Sequence, residues 1–136
     1  MANLIDIKNR YFECATILAA PRRLVRFLDA PQHDGSSHVE IEGNTWVYVS
    51  TERGQRLSER RTNSDDEILY WLVSDLTRSM ATEFELAHRD DGGDSRRKWF
   101  AKDIELLERV NREWAIRKSA EYDRILVEHP FTDEDS

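Results

Sequence analysis

The segment Ser64–Phe100 constrains the fold most, because it reads as one long helix, a glycine turn and the start of a helix running back. Ser64 and Glu67 have the S-x-x-E spacing of a capping box, which predicts that the helix begins after this serine. At about 100° per residue, the apolar residues that follow share one wide arc: Ile68, Leu69, Leu72, Val73, Leu76, Met80, Phe84 and Ala87. An arc wider than a coiled-coil seam is typical of a helix at the centre of a globular core.

The second half of the chain continues this helical pattern. The turn Asp90–Asp94 contains two glycines, and we expect Asp94 to cap the return helix. The predicted helical hairpin spans about residues 65–110. Asn111 has the side chain of a new N-cap, which predicts a last helix over about residues 112–128, before Pro130.

The first half predicts one helix and a small antiparallel sheet. Apolar residues at helical spacing indicate a helix over about residues 3–20, ended by Pro21. Residues 29–38 are rich in turn formers and read as a polar loop. A β-hairpin region follows over about residues 39–62, with Gly43-Asn44 as its turn. Within it, residues 55–62 are either a third short strand or an exposed arm.

Together these patterns predict a single domain over residues 1–136. The expected fold class is α+β and mostly helical, with about four helices and a small antiparallel β-hairpin or three-stranded sheet packed on the central helical hairpin. An isolated hairpin is barely stable in water, so this sheet needs a helix to pack on. Trp71, at the edge of the apolar arc, is the expected contact.

The negative charge of the chain is concentrated in one segment. The net charge is −7 over 136 residues, and residues 62–95 alone carry −7. An acidic chain of this kind argues against a general nucleic-acid binder, which needs a basic face, and favours a basic partner attracted electrostatically. We expect partner contact through exposed acidic residues of the central helix and its turn, namely Glu67, Asp75, Glu85, Asp90 and Asp91.

Glu83 is the one acidic residue that falls inside the apolar arc of the central helix. A lone buried charge is costly, whereas a hydrogen-bonded pair is tolerated. Because the two helices of the hairpin are antiparallel, we hypothesise a structural polar pair between Glu83 and Arg96 or Arg97. The alternative is that Glu83 emerges from the core near the end of the helix.

Several kinds of site find no support in the residue pattern. The single cysteine, Cys14, excludes an internal disulfide and a cysteine metal cluster. His33 and His38 lack a third ligand at a suitable spacing, so no metal and no cofactor are expected. No nucleophile or acid–base set can be assembled, which argues against an enzyme. No apolar run reaches the length of a membrane span, and no signal-peptide pattern opens the chain, so we expect a cytoplasmic protein.

The chain resembles the immunity protein 63 family of bacterial polymorphic toxin systems over roughly residues 46–133. The resemblance depends on an ordered set of short matches rather than on one diagnostic motif. These matches are Glu52-Arg53-Gly54, Tyr70-Trp71 with Asp75, Ser79-Met80-Ala81, Phe84–Arg89, Asp94–Arg97 with Phe100, Leu106-Leu107, Trp114, Ile125-Leu126 and His129-Pro130-Phe131.

This resemblance implies a non-catalytic protein that binds and neutralises a cognate toxin in the cytoplasm. Many toxins of these systems attack nucleic acids with basic surfaces, so a basic nuclease is the first partner to consider for the acidic helical face. The alternative hypothesis is a small nucleic-acid-binding module that uses arginines around the hairpin, with Trp46 and Tyr48 as stacking surfaces. Those arginines are Arg22, Arg23, Arg26, Arg53, Arg56, Arg60 and Arg61.

Overall fold

The computed structural model describes residues 1–89 and 93–133. Within these residues the chain forms four helices and one three-stranded antiparallel sheet, which confirms the predicted α+β, mostly helical class. The elements in chain order are α1 (Leu4–Ile17), a short 3₁₀ helix (Arg22–Leu24), β1 (Asp34–Glu42), β2 (Thr45–Glu52), β3 (Gln55–Thr62), α2 (Asp65–Ala87), α3 (Arg96–Val110) and α4 (Arg112–Glu128).

The sheet is a meander with the strand order β1-β2-β3. Gly43 occupies the first turn with φ of 61°. The second turn contains Arg53 and Gly54 with φ of 52° and 80°, and two positive φ values are the signature of a tight hairpin turn that matches strand twist. This second turn brings residues 55–62 back against β2, so the segment is a strand rather than an exposed arm.

Strand β1 begins earlier than predicted, inside the segment that reads as a polar loop. Asp34 pairs with Glu52 and Ser37 with Ser50, with a register shift between the two pairs. Main-chain hydrogen bonding to β2 holds these polar residues in the strand. No apolar alternation accompanies the pairing, so the sequence carried no signal for it.

Side-chain caps set most of the helix starts. Asn3 caps α1 through a full capping box with Asp6, and Asn111 caps α4 by accepting from the Trp114 amide at 3.2 Å. Ser64 accepts from the Glu67 amide at 3.1 Å, as the spacing predicts. The Glu67 side chain does not return to Ser64, because it pairs with Arg117 of α4 instead.

The long helix α2 lies at the centre and contacts α1, α3 and the sheet. Trp71 of α2 stacks on Tyr48 of β2 with ring centroids 6.4 Å apart, which confirms the predicted contact between sheet and helix. On the opposite side of the fold, Phe100 of α3 stacks on Tyr122 of α4 at 3.9 Å. The sheet and α3 therefore pack on different sides of α2, and a cleft remains between the sheet and α2.

Candidate functional site: a cleft between the sheet and α2

A cleft of about 460 Å³ opens between the sheet, α2 and α4. A smaller hollow of about 250 Å³ adjoins it and shares Gly35, Ser37, Asp75 and Arg78 with it. We call the larger space the serine cleft. Its lining consists of Gly35, Ser37, Ser50, Ser58, Arg60, Tyr70, Trp71, Ser74, Asp75, Arg78, Lys118 and Glu121.

The sheet wall of the serine cleft carries a row of hydroxyl groups. Ser37, Ser50 and Ser58 are cross-strand partners on β1, β2 and β3, so the three side chains lie on one face of the sheet. The Ser50 and Ser58 Oγ atoms are 2.7 Å apart and form a hydrogen bond. Tyr48 and Arg60 are two residues along the same strands, and the strand period of two therefore puts them on this face as well.

The helix wall is centred on Asp75 of α2. Its carboxylate accepts a hydrogen bond of 2.5 Å from the Tyr48 hydroxyl, and the nearest atom of the Arg78 guanidinium lies 3.8 Å away. Burial, together with the nearby Asp75 charge, raises the pKa of Tyr48 well above its ordinary value, so the hydroxyl stays protonated and continues to donate. The Asp75 side chain remains 39 % exposed, which leaves acceptor capacity toward solvent.

The α4 wall repeats this arrangement with a second carboxylate. Glu121 accepts from the Tyr70 hydroxyl at 3.0 Å and pairs with Lys118 at 3.1 Å. Burial and the Glu121 charge raise the pKa of Tyr70 above its ordinary value. Arg117 also approaches Glu121, at 3.4 Å. Glu121 is therefore already neutralised by two cations of its own helix.

Arg60 of β3 also lines the cleft, but its charged group contacts aromatic rings rather than a carboxylate. Its guanidinium lies over the Trp71 ring at 4.7 Å and over the Tyr48 ring at 5.3 Å from the centroids. Within residues 1–89 and 93–133 its guanidinium forms no hydrogen bond and no direct ion pair, although its charge helps to lower the pKa of Glu67. A guanidinium stacked on an aromatic face keeps its N–H groups free at its edge.

The structure places the predicted contact residues in very different surroundings. Glu67 is bound by Arg117, with oxygen–nitrogen distances of 2.5 and 2.7 Å, and is half-buried. Glu85 is only 4 % exposed and pairs with Arg89, so the expectation of an exposed carboxylate is wrong for this residue. Asp75 lies in the serine cleft and is the most exposed of the three. Asp90 and Asp91 lie outside the described residues.

The hypothesised pair between Glu83 and Arg96 or Arg97 is wrong. Glu83 pairs with Arg23 at 2.6 Å, and its side chain is 41 % exposed. The neighbouring Phe84 is the residue that faces α3, where Lys102 lies 4.6 Å from its ring. Successive residues on a helix differ by about 100° in direction, so Glu83 points away from α3 toward the 3₁₀ helix that carries Arg23.

Arg96 and Arg97 bind the segment that follows α4 instead. Arg96 binds Asp94 at 2.7 Å and donates to the main-chain carbonyls of His129 and Pro130 at 2.8 and 2.9 Å. Arg97 binds Asp133 at 2.6 Å. Sequence spacing offered no sign of the contacts with residues 129, 130 and 133, because these partners lie more than 30 residues away.

The surfaces that a nucleic-acid module needs are largely occupied. Trp46 is fully buried and Tyr48 is 5 % exposed, so neither presents a ring for base stacking. On the outer face of the sheet, Arg56 binds Glu40 at 3.0 Å and Arg61 binds Glu42 at 2.6 Å. These pairs bridge β1 and β3 across β2 and neutralise two of the arginines that the alternative hypothesis requires.

Within residues 1–89 and 93–133, no group of three or more His, Cys, Asp or Glu side chains is arranged to hold a metal ion. His38 is fully buried and its Nε2 lies 2.6 Å from the Glu40 carboxylate, while His33 Nδ1 accepts a hydrogen bond of 3.2 Å from the Gly54 amide at the second hairpin turn. None of the helices in the described part of the chain has the length and apolar character needed to cross a membrane.

Comparison with known protein families gives a match to most of the sheet and the helical hairpin. The family described as immunity protein 63 matches residues 42–124, which is more than half of the chain. The chain belongs to the immunity protein 63 family. Neither a curated protein nor a solved structure matches this sequence.

The part matched by the immunity protein 63 family includes β2, β3, α2, α3 and most of α4. It therefore contains Arg60, Asp75 and Glu121 of the serine cleft, whereas the β1 part of the sheet wall, with Ser37, lies before it. Sequence reasoning identified Asp75 but missed the serine row and the special position of Arg60. The only available signal was the alternation of Ser58 and Arg60, which becomes informative once residues 55–62 are assigned to a strand.

Proposed function

We propose that this protein is a non-catalytic immunity protein of a bacterial polymorphic toxin system. It binds a cognate toxin by direct protein–protein contact in the cytoplasm and blocks the activity of that toxin. The observation that carries the proposal is membership of the immunity protein 63 family over residues 42–124.

Asp75 is the proposed centre of the contact on the acidic helix. Glu67 and Glu85 were candidates for the same surface, but each is bound by an arginine of this chain. Breaking such a pair in order to bind a partner would leave a cation without its counter-ion, which is costly where the groups are partly buried. Asp75 also has an arginine nearby, but its distance to Arg78 is 3.8 Å and both side chains are exposed, so a partner can displace this contact at little cost. Asp90 and Asp91 extend the acidic surface in this proposal on sequence grounds alone.

The test is binding and protection with the purified toxin domain encoded beside this gene, in a catalytically inactive form for the affinity measurement. We expect wild-type protein to co-purify with the toxin domain, and Asp75→Asn to weaken binding by about tenfold, which corresponds to about 1.4 kcal/mol. Asn retains an acceptor for the Tyr48 hydroxyl, so the substitution removes charge with little change in shape.

Glu83→Gln is the matched control. Glu83 lies on the same helix, has a side chain of similar exposure and is also paired with one arginine, but it does not line the cleft. We expect this variant to bind the toxin domain as wild type does. Absence of any complex between the wild-type protein and the toxin domain would refute the proposed function.

The salt dependence of binding tests the electrostatic part of the proposal separately. If the toxin presents a basic surface to Asp75, the association rate falls as ionic strength rises, because salt screens the attraction between exposed charges. The measurement is the association rate constant between low and high sodium chloride. An association rate that is indifferent to salt would argue against capture by an acidic face, even if the complex forms.

A further inference from the structure

We infer that the serine cleft receives a carboxylate side chain of the toxin, which binds to the guanidinium of Arg60. This inference rests on the proposed function and adds a second contact of opposite sign to the one at Asp75. It specifies the chemistry of the partner residue as Asp or Glu. The argument depends on which charged and polar groups of the cleft are already satisfied within the chain.

Arg60 is the basic residue of the lining that has no carboxylate at ion-pairing distance among the described residues, because Glu67, whose pKa it helps to lower, is bound directly by Arg117. Of the three basic residues in the lining, Lys118 pairs with Glu121 at 3.1 Å and Arg78 lies 3.8 Å from Asp75. Arg60 has no such partner in the part of the chain that the structure describes. Its guanidinium carbon lies 4.7 Å from the Trp71 ring centroid and 5.3 Å from the Tyr48 ring centroid, so the two rings position the group while its N–H donors make no side-chain hydrogen bond among the described residues. A pre-positioned planar fork of this kind fits a carboxylate with two parallel hydrogen bonds.

The two carboxylates of the cleft do not compete for this position. Asp75 accepts from the Tyr48 hydroxyl, and Glu121 accepts from the Tyr70 hydroxyl and two cations of α4. Each acidic group thus already has donors within the chain. The lining as a whole carries three basic and two acidic side chains, and the unmatched charge is positive.

The hydroxyl groups of the cleft supply further hydrogen-bond donors for a bound carboxylate. Ser74 is 8 % exposed, lines the cleft, and its Oγ has no hydrogen-bond partner within the described residues. A buried hydroxyl without a partner costs free energy, and an entering acceptor relieves this cost. Ser37 belongs to the same lining and ends the serine row on β1.

Arg60 and Asp75 line the same cleft, so one site contains a cation without a direct ion pair and a partly exposed carboxylate. A partner with one acidic and one basic residue at matching positions satisfies both, whereas a uniformly basic surface would be repelled by Arg60. Such alternation of sign fixes the register of an interface and excludes wrong partners. It therefore predicts specificity for the cognate toxin rather than general attraction to basic proteins.

The experiment compares Arg60→Gln with Arg61→Gln against the inactive toxin domain. The two arginines are neighbours on β3, but Arg61 lies on the outer face of the sheet, where it binds Glu42 and Glu59. We expect Arg60→Gln to weaken binding by about tenfold or more and Arg61→Gln to change it less than about twofold. Thermal unfolding of both variants verifies that they are folded. If Arg60→Gln fails to fold, Arg60→Lys replaces it, since Lys keeps the charge but loses the planar fork.

The carboxylate is identified by substituting each surface Asp and Glu of the toxin domain with its amide. Energetic coupling between one of these substitutions and Arg60→Gln, measured by a double-mutant cycle, supports the inference. If Arg60→Gln binds the toxin domain with wild-type affinity, the inference is wrong. It is also wrong if none of the toxin carboxylates shows coupling to Arg60 in the cycles. Neither result affects the proposed function. Absence of binding by the wild-type protein overturns the proposed function and this inference together.

Discussion

Asp103 is a fully buried carboxyl group on the inner side of α3. The Tyr122 hydroxyl donates to its Oδ2, while its Oδ1 has no hydrogen-bond partner within the described residues. Burial raises the pKa of Asp103 above its ordinary value, since desolvation disfavours the ionised form more than the nearby hydroxyls favour it. This residue therefore opposes folding at neutral pH, in contrast to the paired carboxylates of the surface.

A pH-dependent difference in stability follows for Asp103→Asn. The raised pKa means that the folded state holds its proton more tightly than the unfolded state does. The Asp103 contribution to stability is thus lost as pH rises from about 4, the unfolded value, through the folded-state pKa. Asn cannot ionise, so we expect the free energy of unfolding of the variant to rise relative to wild type between pH 4 and pH 8.

The measurement is urea denaturation of both proteins across this range. Asp123→Asn, at an exposed position on α4, controls for the loss of one negative charge. A difference between Asp103→Asn and wild type that stays constant from pH 4 to pH 8 would contradict the assignment of a raised pKa to Asp103.

At the level of helices, the first turn of α2 serves as a connection point for the rest of the chain. Asp65 accepts from the Trp46 indole N–H of β2 at 2.9 Å and from the Ala2 amide at 2.8 Å. Asp66 accepts from the Trp114 indole N–H of α4 at 3.2 Å. Glu67 then binds Arg117 of the same helix. Three consecutive acidic residues thus connect the sheet and α4 to α2. From the sequence alone they would be read as a solvated helix start.

The junction between α3 and α4 depends on the Asn111 cap. Its side chain satisfies the Trp114 amide, one of the main-chain donors that a helix start leaves unpaired. We expect Asn111→Ala to lower the free energy of unfolding by about 1 kcal/mol. Asn111→Asp, which keeps the accepting oxygen, should unfold close to wild type in the same chemical denaturation. Equal losses for Ala and Asp would show that the cap bond contributes nothing.

Across the molecule as a whole, the segment that follows α4 is fastened to the start of α3. We call residues 129–133 the C-terminal strap. Phe131 lies against Phe100 at 6.4 Å and beneath the Arg97 guanidinium at 4.1 Å. Asp94 joins the two parts, because it binds Arg96 and also accepts from the Thr132 amide at 3.0 Å. The hydrogen bonds from Arg96 and the Thr132 amide hold the pKa of Asp94 well below its usual range.

The strap gives a second pH prediction, of opposite sign to that for Asp103. A depressed pKa means that the ionised Asp94 stabilises the fold at every pH above the unfolded value of about 4, and that this contribution is lost as pH falls below it. We expect Asp94→Asn to unfold at a lower temperature than wild type at pH 7, with the gap closing toward pH 2. Asp29→Asn, in an exposed loop, is the control. A gap of the same size at pH 7 and pH 2 would rule out this role.

Periodicity and turn chemistry were sufficient to predict the four helices, the Asn111 and Ser64 caps, the Gly43-Asn44 turn and the contact at Trp71. These features depend on interactions within a few residues, or on which side of a helix is apolar, and both can be read along a chain. The third strand could not be decided from Gln55–Thr62, because its charged residues pair with β1 across β2 and carry no apolar alternation.

The partners of the charged residues were decided only by the way distant elements meet. Local spacing placed Glu85 at the surface and Glu83 beside Arg96, whereas packing buried the first and turned the second toward Arg23. The serine cleft belongs to the same category, because its walls come from β1, β2, β3, α2 and α4. A concave site of this kind is created by docking a twisted sheet against a helix, and no single stretch of sequence contains that geometry.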